Sequence, residues 1–120
     1  MKIKITKLDR LFSLYKRLMS GGICMRCGKY FGVEKLHNAH FHSRRKHTVR
    51  WDKRNTAPLC YGCHSYIDGN PLEKVEFFLT LLGQKEFDRL NEIANMTTKD
   101  YPIDKDKLEE EFKEAIRRLE

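Results

Sequence analysis

The sequence predicts a mostly helical α+β fold built around a small core of two strands and a helix. Three observations support this prediction. The 120 residues suit one domain of ordinary size, two pairs of cysteines bracket a segment with strand and helix signals, and apolar residues recur at helical spacing outside it. We expect an N-terminal amphipathic helix within residues 1–22, a cysteine-held core over 23–70 and a helical extension packed on that core over 71–120.

The N-terminal helix is predicted by its start signal and by an apolar stripe. Thr6 and Asp9 resemble a capping box, in which each side chain accepts a hydrogen bond from the other residue's backbone N–H. Gly21 and Gly22 end the pattern, because glycine is unfavourable inside a helix. The apolar positions that recur at helical spacing are Leu8, Leu11, Phe12, Tyr15, Leu18 and Met19.

All four cysteines fall in two Cys-x-x-Cys pairs, Cys24 with Cys27 and Cys60 with Cys63. Two such pairs complete a tetrahedral shell of four thiolates, the usual environment of structural zinc. Two disulfides are not expected in a chain without an evident export signal, and one redox-active pair would not account for both. We therefore expect a structural zinc whose closed shell leaves no position for chemistry.

Between the cysteine pairs, the sequence predicts strand, loop, strand and helix in that order. Residues 36–41 and 56–59 have strand character, 43–53 form a long polar loop, and a helix covers 61–67. All five histidines of the chain lie within 28 residues of this region. Such clustering indicates a functional site.

Three helices are predicted after the core. Asn70 and Pro71 supply an N-cap and a first-turn proline for a helix that ends at Gly83. Residues 84–95 form the next helix, and the last begins near Asp104. Its apolar stripe fits packing within the chain or pairing of two protomers, so a homodimer stays open. The first of the three helices presents an apolar face made of Leu72, Val75, Phe78, Leu79 and Leu82.

The formal net charge of +7 is unevenly distributed. Residues 1–70 carry 15 lysines and arginines against 4 acids, whereas residues 71–120 carry 9 against 13. A basic surface confined to one part of a chain favours a polyanionic partner such as nucleic acid, although basic residues also serve solubility. No apolar run approaches the ~20 residues of a membrane-spanning helix, so no membrane partner is expected.

Three residues of the bracketed segment occupy the places of a known nuclease motif. His40 ends the first predicted strand, Asn55 precedes the second, and His64 follows Cys63 at the start of the helix. This layout resembles the HNH endonucleases and implies their zinc-stapled ββα-metal core. Over almost the whole chain, the sequence is also similar to the phage NinG (Rap) recombination proteins. That similarity is carried by Leu11-Phe12-Ser13, Cys24-x-x-Cys27-Gly28, Ala39-His40-Phe41-x-Ser43-Arg44, Arg50-Trp51-Asp52-x-x-Asn55 and Gly69-Asn70.

The resemblance implies roles in phosphodiester hydrolysis. His40 is the expected general base, since a neutral imidazole suits proton abstraction from water near neutral pH. His64 is the expected ligand of a catalytic divalent cation, which stabilises charge that builds on the phosphate. Asn55 lacks useful acid–base chemistry and is expected to pin the loop and orient His40.

The second ligand of this cation is less evident. Many HNH enzymes carry it directly before the base, where this chain has Ala39. Strand alternation places His42 on the face of His40 and His37 on the opposite face, so His42 is the expected accessory ligand. His37 and His47 are expected to be structural or solvent-exposed. A site with few protein ligands suggests magnesium or manganese.

The loop between the strands is strongly basic. Such a loop is usually just solvated, but beside a phosphate-cleaving site its cationic side chains can bind neighbouring phosphates. Arg44 is expected to reach that site, because arginine can hold a phosphate through two hydrogen bonds. Trp51 is interpreted as a core anchor, with stacking on a nucleobase as the alternative. The residues expected to contact DNA are Arg44, Arg45, Lys46, Arg50, Lys53 and Arg54.

These features predict a metal-dependent DNA endonuclease. The NinG resemblance implies branched or junction DNA as the substrate and the cytoplasm of phage or bacterial host as the location. The alternative is a zinc-containing module that binds nucleic acid without cutting it. A zinc-stapled protein-interaction adaptor would leave the histidine cluster and the basic loop unexplained.

Overall fold

The cysteine-bracketed segment folds in the predicted order of strand, loop, strand and helix. The computed structural model describes residues 3–120, whose α+β fold contains five α-helices and one two-stranded sheet. In chain order the elements are α1 (Lys7–Met19), β1 (His37–His40), β2 (Thr56–Leu59), α2 (Tyr61–Asp68), α3 (Pro71–Leu82), α4 (Gln84–Ala94) and α5 (Lys105–Leu119).

The two strands form the centre of the fold. They pair antiparallel, with His37 opposite Leu59 and His40 opposite Thr56. The connection over residues 41–55 is a long loop that contains two short 3-10 turns. Both α1 and α2 pack against the strands. Because side chains alternate along a strand, each face of β1 meets a different helix.

The capping box predicted for α1 is present. The Thr6 hydroxyl accepts a hydrogen bond from the Asp9 backbone N–H at 3.2 Å, and the Asp9 carboxylate accepts one from the Thr6 N–H at 2.8 Å. After α1 the chain turns through Gly21 and Gly22, whose φ angles of 65° and 78° favour glycine. Helix α1 packs along α5, so the first and last helices of the described chain are in contact.

Three clusters of buried side chains hold these elements together. The first lies between the sheet, α2 and α3, the second between α1 and α5, and the third between α4 and the loop. Trp51 is only 5% exposed within the second cluster, which confirms its interpretation as a core anchor. Buried members of the clusters include Leu36, Ala39, Leu59, Ile67, Phe78, then Leu8, Phe12, Phe112, and then Val49, Leu90 and Ile93.

The apolar face predicted for α3 is partly wrong. Phe78 is buried, and Leu79 and Leu82 pack against the core, but Leu72 is 86% exposed and Val75 is 40% exposed. The packed part of α3 therefore lies in its second half, and its first turn extends beyond the elements that cover it. Helical periodicity predicts which side of a helix is apolar, but it does not predict where along the helix the cover ends.

The C-terminal helices contact the rest of the chain through α4 as well as α5. α4 packs against α3 and against both 3-10 turns of the loop. The Thr48 hydroxyl in that loop donates a 2.7 Å hydrogen bond to the Ile93 carbonyl of α4. Among the described residues, no helix combines the length and the apolar character needed to cross a membrane.

Candidate functional site

The two cysteine pairs meet in space. The four Sγ atoms of Cys24, Cys27, Cys60 and Cys63 all lie within 4.8 Å of one another, and all four cysteines are free thiols. A tetrahedral zinc with Zn–S bonds of about 2.3 Å needs sulfur atoms roughly 4 Å apart. The cluster can therefore hold a structural metal such as zinc, as predicted.

The chain reaches this geometry through two tight local structures. In the first pair, the Gly28 N–H donates to the Cys24 carbonyl at 2.9 Å, and a φ of 75° makes glycine the favoured residue there. The Met25 N–H donates to the Pro58 carbonyl at 2.9 Å and so fixes this turn against β2. In the second pair, Cys60 caps α2 and its sulfur accepts from the Cys63 N–H at 3.4 Å.

The protonation of the thiols also suits a cation. Burial raises the pKa of Cys24, but hydrogen bonds from the backbone of Cys27, Cys60 and Arg26 outweigh it and lower that pKa to about 6. Burial, with the neighbouring sulfurs of Cys60 and Cys24, raises the pKa of Cys63 to about 12, although a hydrogen bond from Arg26 opposes this. The thiol of Cys24 therefore loses its proton readily, whereas four thiolates side by side need a positive ion between them.

His64 lies beside His37 and directly follows Cys63 in the first turn of α2. The Nδ1 atoms of the two rings are 2.9 Å apart, and the ring planes cross at 80°. The Nε2 of His64 is 3.1 Å from Oδ2 of Asp68, one helical turn later. His37 is exposed, so solvent reaches this pair.

His40 lies on the opposite face of β1, against α1. Its ring meets Phe12 edge-on, with a centroid separation of 6.4 Å. Its Nε2 is 3.3 Å from the Arg50 carbonyl oxygen and its Nδ1 is 3.2 Å from the Asn38 carbonyl oxygen. Burial, followed by the positive charge of Arg44, lowers the pKa of His40 to about 4. His40 is therefore a neutral imidazole at neutral pH, in which one nitrogen donates to its neighbouring carbonyl and the other carries no proton.

Asn55 closes the loop between the strands. Its side chain is fully buried, its Oδ1 accepts from the His42 N–H at 2.8 Å, and its Nδ2 donates to the His42 carbonyl at 3.0 Å. The Asn55 carbonyl also accepts from the Phe41 N–H at 2.8 Å. These bonds fasten residues 41 and 42 to residue 55, which is the pinning expected of Asn55.

Asp9 of α1 fixes the far side of the same loop. Its buried carboxylate accepts from Nε and Nη2 of Arg50, at 3.0 and 2.6 Å, and from Nε1 of Trp51 at 2.9 Å. Burial alone would raise the pKa of Asp9, but the hydrogen bonds from Arg50 and Thr6 outweigh it and lower the pKa to about 2. The ionised Asp9 thus holds the residue whose carbonyl orients His40.

Arg44 lies at the start of the loop, and its positive charge is, after burial, the main effect that lowers the pKa of His40. Burial is the largest cause of the lowered pKa of His64, and Arg44 contributes less there than His37 and Lys74. The Nε of Arg44 is buried without a hydrogen-bond partner among the described residues and lies 4.0 Å from an Asp9 oxygen. Arg44 also lines a surface cleft of about 470 Å³ that includes Arg10 and Arg17 of α1.

The remaining residues predicted for the site differ in their exposure and in their pairing with other side chains. Arg50 was expected to contact DNA. It is instead 6% exposed and paired with Asp9, so DNA does not reach it. Lys53 is paired with Glu111, and Arg54 with Asp52 and Glu86. His42 has its Nε2 2.7 Å from Oδ1 of Asn91, and its role as an accessory ligand stays a prediction. Arg45 and Lys46 are exposed.

Sequence reasoning missed two contributors to this region. Asp9 lies 41 residues before Arg50, and no local pattern joins them. His37 is solvent-exposed, as expected, but its contact with His64 was not predicted. Comparison of the chain with protein-family models, with curated proteins and with solved structures finds no match.

Proposed function

We propose that this chain is a metal-dependent endonuclease that hydrolyses phosphodiester bonds in DNA. The observation that carries the proposal is the environment of His40, a neutral imidazole oriented by the Arg50 carbonyl and set beside Arg44. A general base needs a free lone pair in a fixed direction, and a phosphate needs a cationic donor next to that base. The strand, loop, strand and helix order supports the HNH resemblance that first suggested this chemistry.

Each residue has a distinct part in the proposed reaction. His40 takes a proton from the attacking water, and Asn55 keeps the loop closed so that the imidazole stays in place. His64 contributes to the site of a divalent cation, which when bound stabilises the negative charge of the phosphate during hydrolysis. The four cysteines hold zinc, which takes no part in the chemistry because its coordination shell is closed.

Arg44 is the proposed phosphate ligand from the loop. The Arg44 side chain is 33% exposed, so its guanidinium can bind a phosphate oxygen while its buried Nε faces Asp9. As Arg44 gains an anionic partner, its effect on the pKa of His40 weakens, so substrate binding makes His40 a stronger base.

The proposed DNA surface is narrower than the sequence suggested. It comprises Arg44, Arg45 and Lys46 at the start of the loop, together with Arg10 and Arg17 in the adjoining cleft. Arg50 is left out because it is buried against Asp9. Lys53 and Arg54 are already neutralised by carboxylates, so they contribute less.

We further propose branched DNA as the substrate, on the resemblance to the NinG proteins. The first experiment incubates the zinc-loaded protein with flap, four-way-junction and linear duplex DNA in magnesium or manganese. His40→Ala tests the base, and His47→Ala is the matched control because His47 is an exposed histidine of the same loop. Nicking by wild type and by the control, with a loss of about 10²–10⁴-fold in the His40 variant, supports the proposal.

The same experiment tests the alternative of a module that binds without cutting. Binding of DNA by wild type with no nicking under any of these conditions would favour that module, as would equal cutting by His40→Ala and wild type. Affinity should fall with salt by about 0.9 log units per log unit of salt for each phosphate contact on duplex DNA. A flat salt response would contradict the proposed basic surface.

A further inference from the structure

The contact between His37 and His64 has the geometry of two ligands of one ion. Two imidazole nitrogens that bind one metal at about 2.0–2.1 Å lie roughly 3 Å apart when their bonds to it are near a right angle. The Nδ1 atoms of His37 and His64 are 2.9 Å apart. One nitrogen comes from the edge of β1 and the other from the first turn of α2, so two rigid elements set the distance.

The tautomer of His64 supports this geometry. Its Nε2 is 3.1 Å from Asp68 Oδ2, and the other Asp68 oxygen pairs with Lys74 Nζ at 3.1 Å. A carboxylate accepts hydrogen bonds, so Nε2 of His64 carries the proton and Nδ1 presents its lone pair toward His37. A carboxylate that fixes the tautomer of a metal-binding histidine is a common supporting contact of metal sites.

The surroundings of the pair leave room for other ligands. His37 is exposed, and Tyr61, which is itself 72% exposed, meets the His37 ring edge-on at 6.0 Å. An ion held by two protein nitrogens would take its remaining ligands from water or a phosphate oxygen. Such an open shell is a property of catalytic metal sites, in contrast to closed structural ones.

We propose that His37 and His64 together bind the divalent cation and that the preferred ion is a first-row transition metal. This inference rests on the proposed endonuclease function, but it assigns a ligand that the sequence resemblance did not. His37 takes the role that Ala39 cannot fill, and it lies on the same face of β1 as Ala39. The Nε2 atom of His42 instead contacts Oδ1 of Asn91, at 2.7 Å.

The choice of ion follows from the donor atoms. Neutral imidazole suits iron, cobalt, nickel, copper and zinc, with affinity rising along the Irving–Williams order from manganese to copper, whereas magnesium and manganese prefer oxygen ligands. Two histidines therefore favour nickel or zinc over the magnesium that a site of carboxylates would select. Magnesium is expected to bind this pair at least tenfold more weakly than nickel.

The test measures ion binding directly. Full-length protein with zinc already in the cysteine cluster is titrated with manganese and with nickel by calorimetry, and the histidine ring signals are followed by NMR. Wild type should bind one further ion, with selective broadening of the His37 and His64 rings by manganese. His37→Ala and His64→Ala should each weaken binding at least tenfold, and Asp68→Asn should weaken it about 10–100-fold.

His47→Ala is the matched control and should bind as wild type does. His37→Gln, which keeps a polar side chain at an exposed position, separates lost ligation from any change in folding, and circular dichroism checks each variant. Absence of a further ion in wild type, or unchanged binding in His37→Ala, would overturn the inference and leave a direct hydrogen bond between the rings. A loss confined to His42→Ala would make His42 the ligand and would equally overturn it.

The outcome separates this inference from the function on which it rests. Binding that depends on His37, in a protein that cuts no DNA with any ion, would retain the metal site and reject the endonuclease. Cutting that depends on His40 but survives His37→Ala, with ion binding intact, would retain the endonuclease and reject the role of His37.

Discussion

The cysteine cluster, which can hold a metal, and the histidine pair, where we propose a second ion, share one turn of helix. Cys63 belongs to the first and His64 to the second, and successive residues of a helix point about 100° apart. The cysteine cluster has four donors, three of them from buried residues, whereas the histidine pair has two donors with solvent beside them. In number of donors and in burial, the cysteine cluster therefore suits an ion that holds the fold, whereas the proposed ion at the histidine pair would keep positions open for other ligands.

The largest expected effect comes from opening the cysteine cluster. Cys60→Ser removes one of the four thiolates while keeping a residue that can cap α2, and it should unfold or aggregate the protein. Structural zinc contributes about 10–16 kcal/mol in small zinc domains near neutral pH. Thermal unfolding and zinc content measure the effect, with His64→Ala as the comparison that should stay folded and keep its zinc. If both variants stay folded with full zinc, the two groups do not differ as proposed.

Asp9→Asn comes next, and it tests a part of the fold that depends on neither group. It leaves the Arg50 guanidinium buried without its counter-charge, which should cost about 3–5 kcal/mol. Urea unfolding measures the loss, and zinc content should not change. Asp100→Asn, at an exposed position, should stay within about 0.5 kcal/mol of wild type.

The difference in stability between wild type and Asp9→Asn should depend on pH. The pKa of Asp9 is lowered to about 2 from an ordinary 3.8, so its contribution is complete above about pH 4 and is lost as pH falls toward 2. The difference in stability between wild type and Asp9→Asn should therefore shrink over that range. A constant difference would show that Asp9 is not held as the carboxylate.

Asn55→Ala should have a smaller effect that is again independent of metal. It removes the partners of the His42 N–H and carbonyl, each of which costs about 1–3 kcal/mol if it is left unpaired and buried. We expect a loss of about 2–3 kcal/mol in urea unfolding, with both ions retained. Asn95→Ala breaks one exposed hydrogen bond to the Asn91 carbonyl and is the control. Loss of zinc from Asn55→Ala would contradict this separation.

The smallest expected effect is limited to the cleavage of DNA. Arg44→Ala removes the proposed phosphate contact and should lower kcat/KM for DNA about 10–100-fold, as expected for a hydrogen bond to a charged group. Arg44→Lys should recover part of the loss, because it restores charge but not the paired donors. Arg89→Ala, an exposed arginine of α4, should cut as wild type does. An equal loss in Arg89→Ala would mean that charge alone matters.

Local patterns were sufficient to predict most of the fold. The two strands, the helix after Cys60 and the capped start of α1 follow from spacing, turn residues and caps that lie within a few positions of one another. The four-cysteine cluster was predictable because metal chemistry dictates which residues must meet. The exposed Leu72 was not, because its exposure depends on where other helices end.

The candidate site was harder to predict for a related reason. Alternation along β1 correctly separated His37 from His40, but it could not show which face would meet α2. The buried Ala39 belongs to the same cluster as three of the cysteines and Ile67 of α2, and His37 shares its face of the strand. The pairing of Asp9 with Arg50 joins residues that no sequence window contains.

The carboxylate of Asp9 also has a consequence for the order in which the protein opens. It ties the first turn of α1 to Arg50 and Trp51, so the helix cannot leave without releasing the loop. Amide hydrogens of α1 and of residues 48–51 should therefore exchange with solvent as one cooperative unit. A ligand bound to the loop alone would then slow exchange in α1 as well.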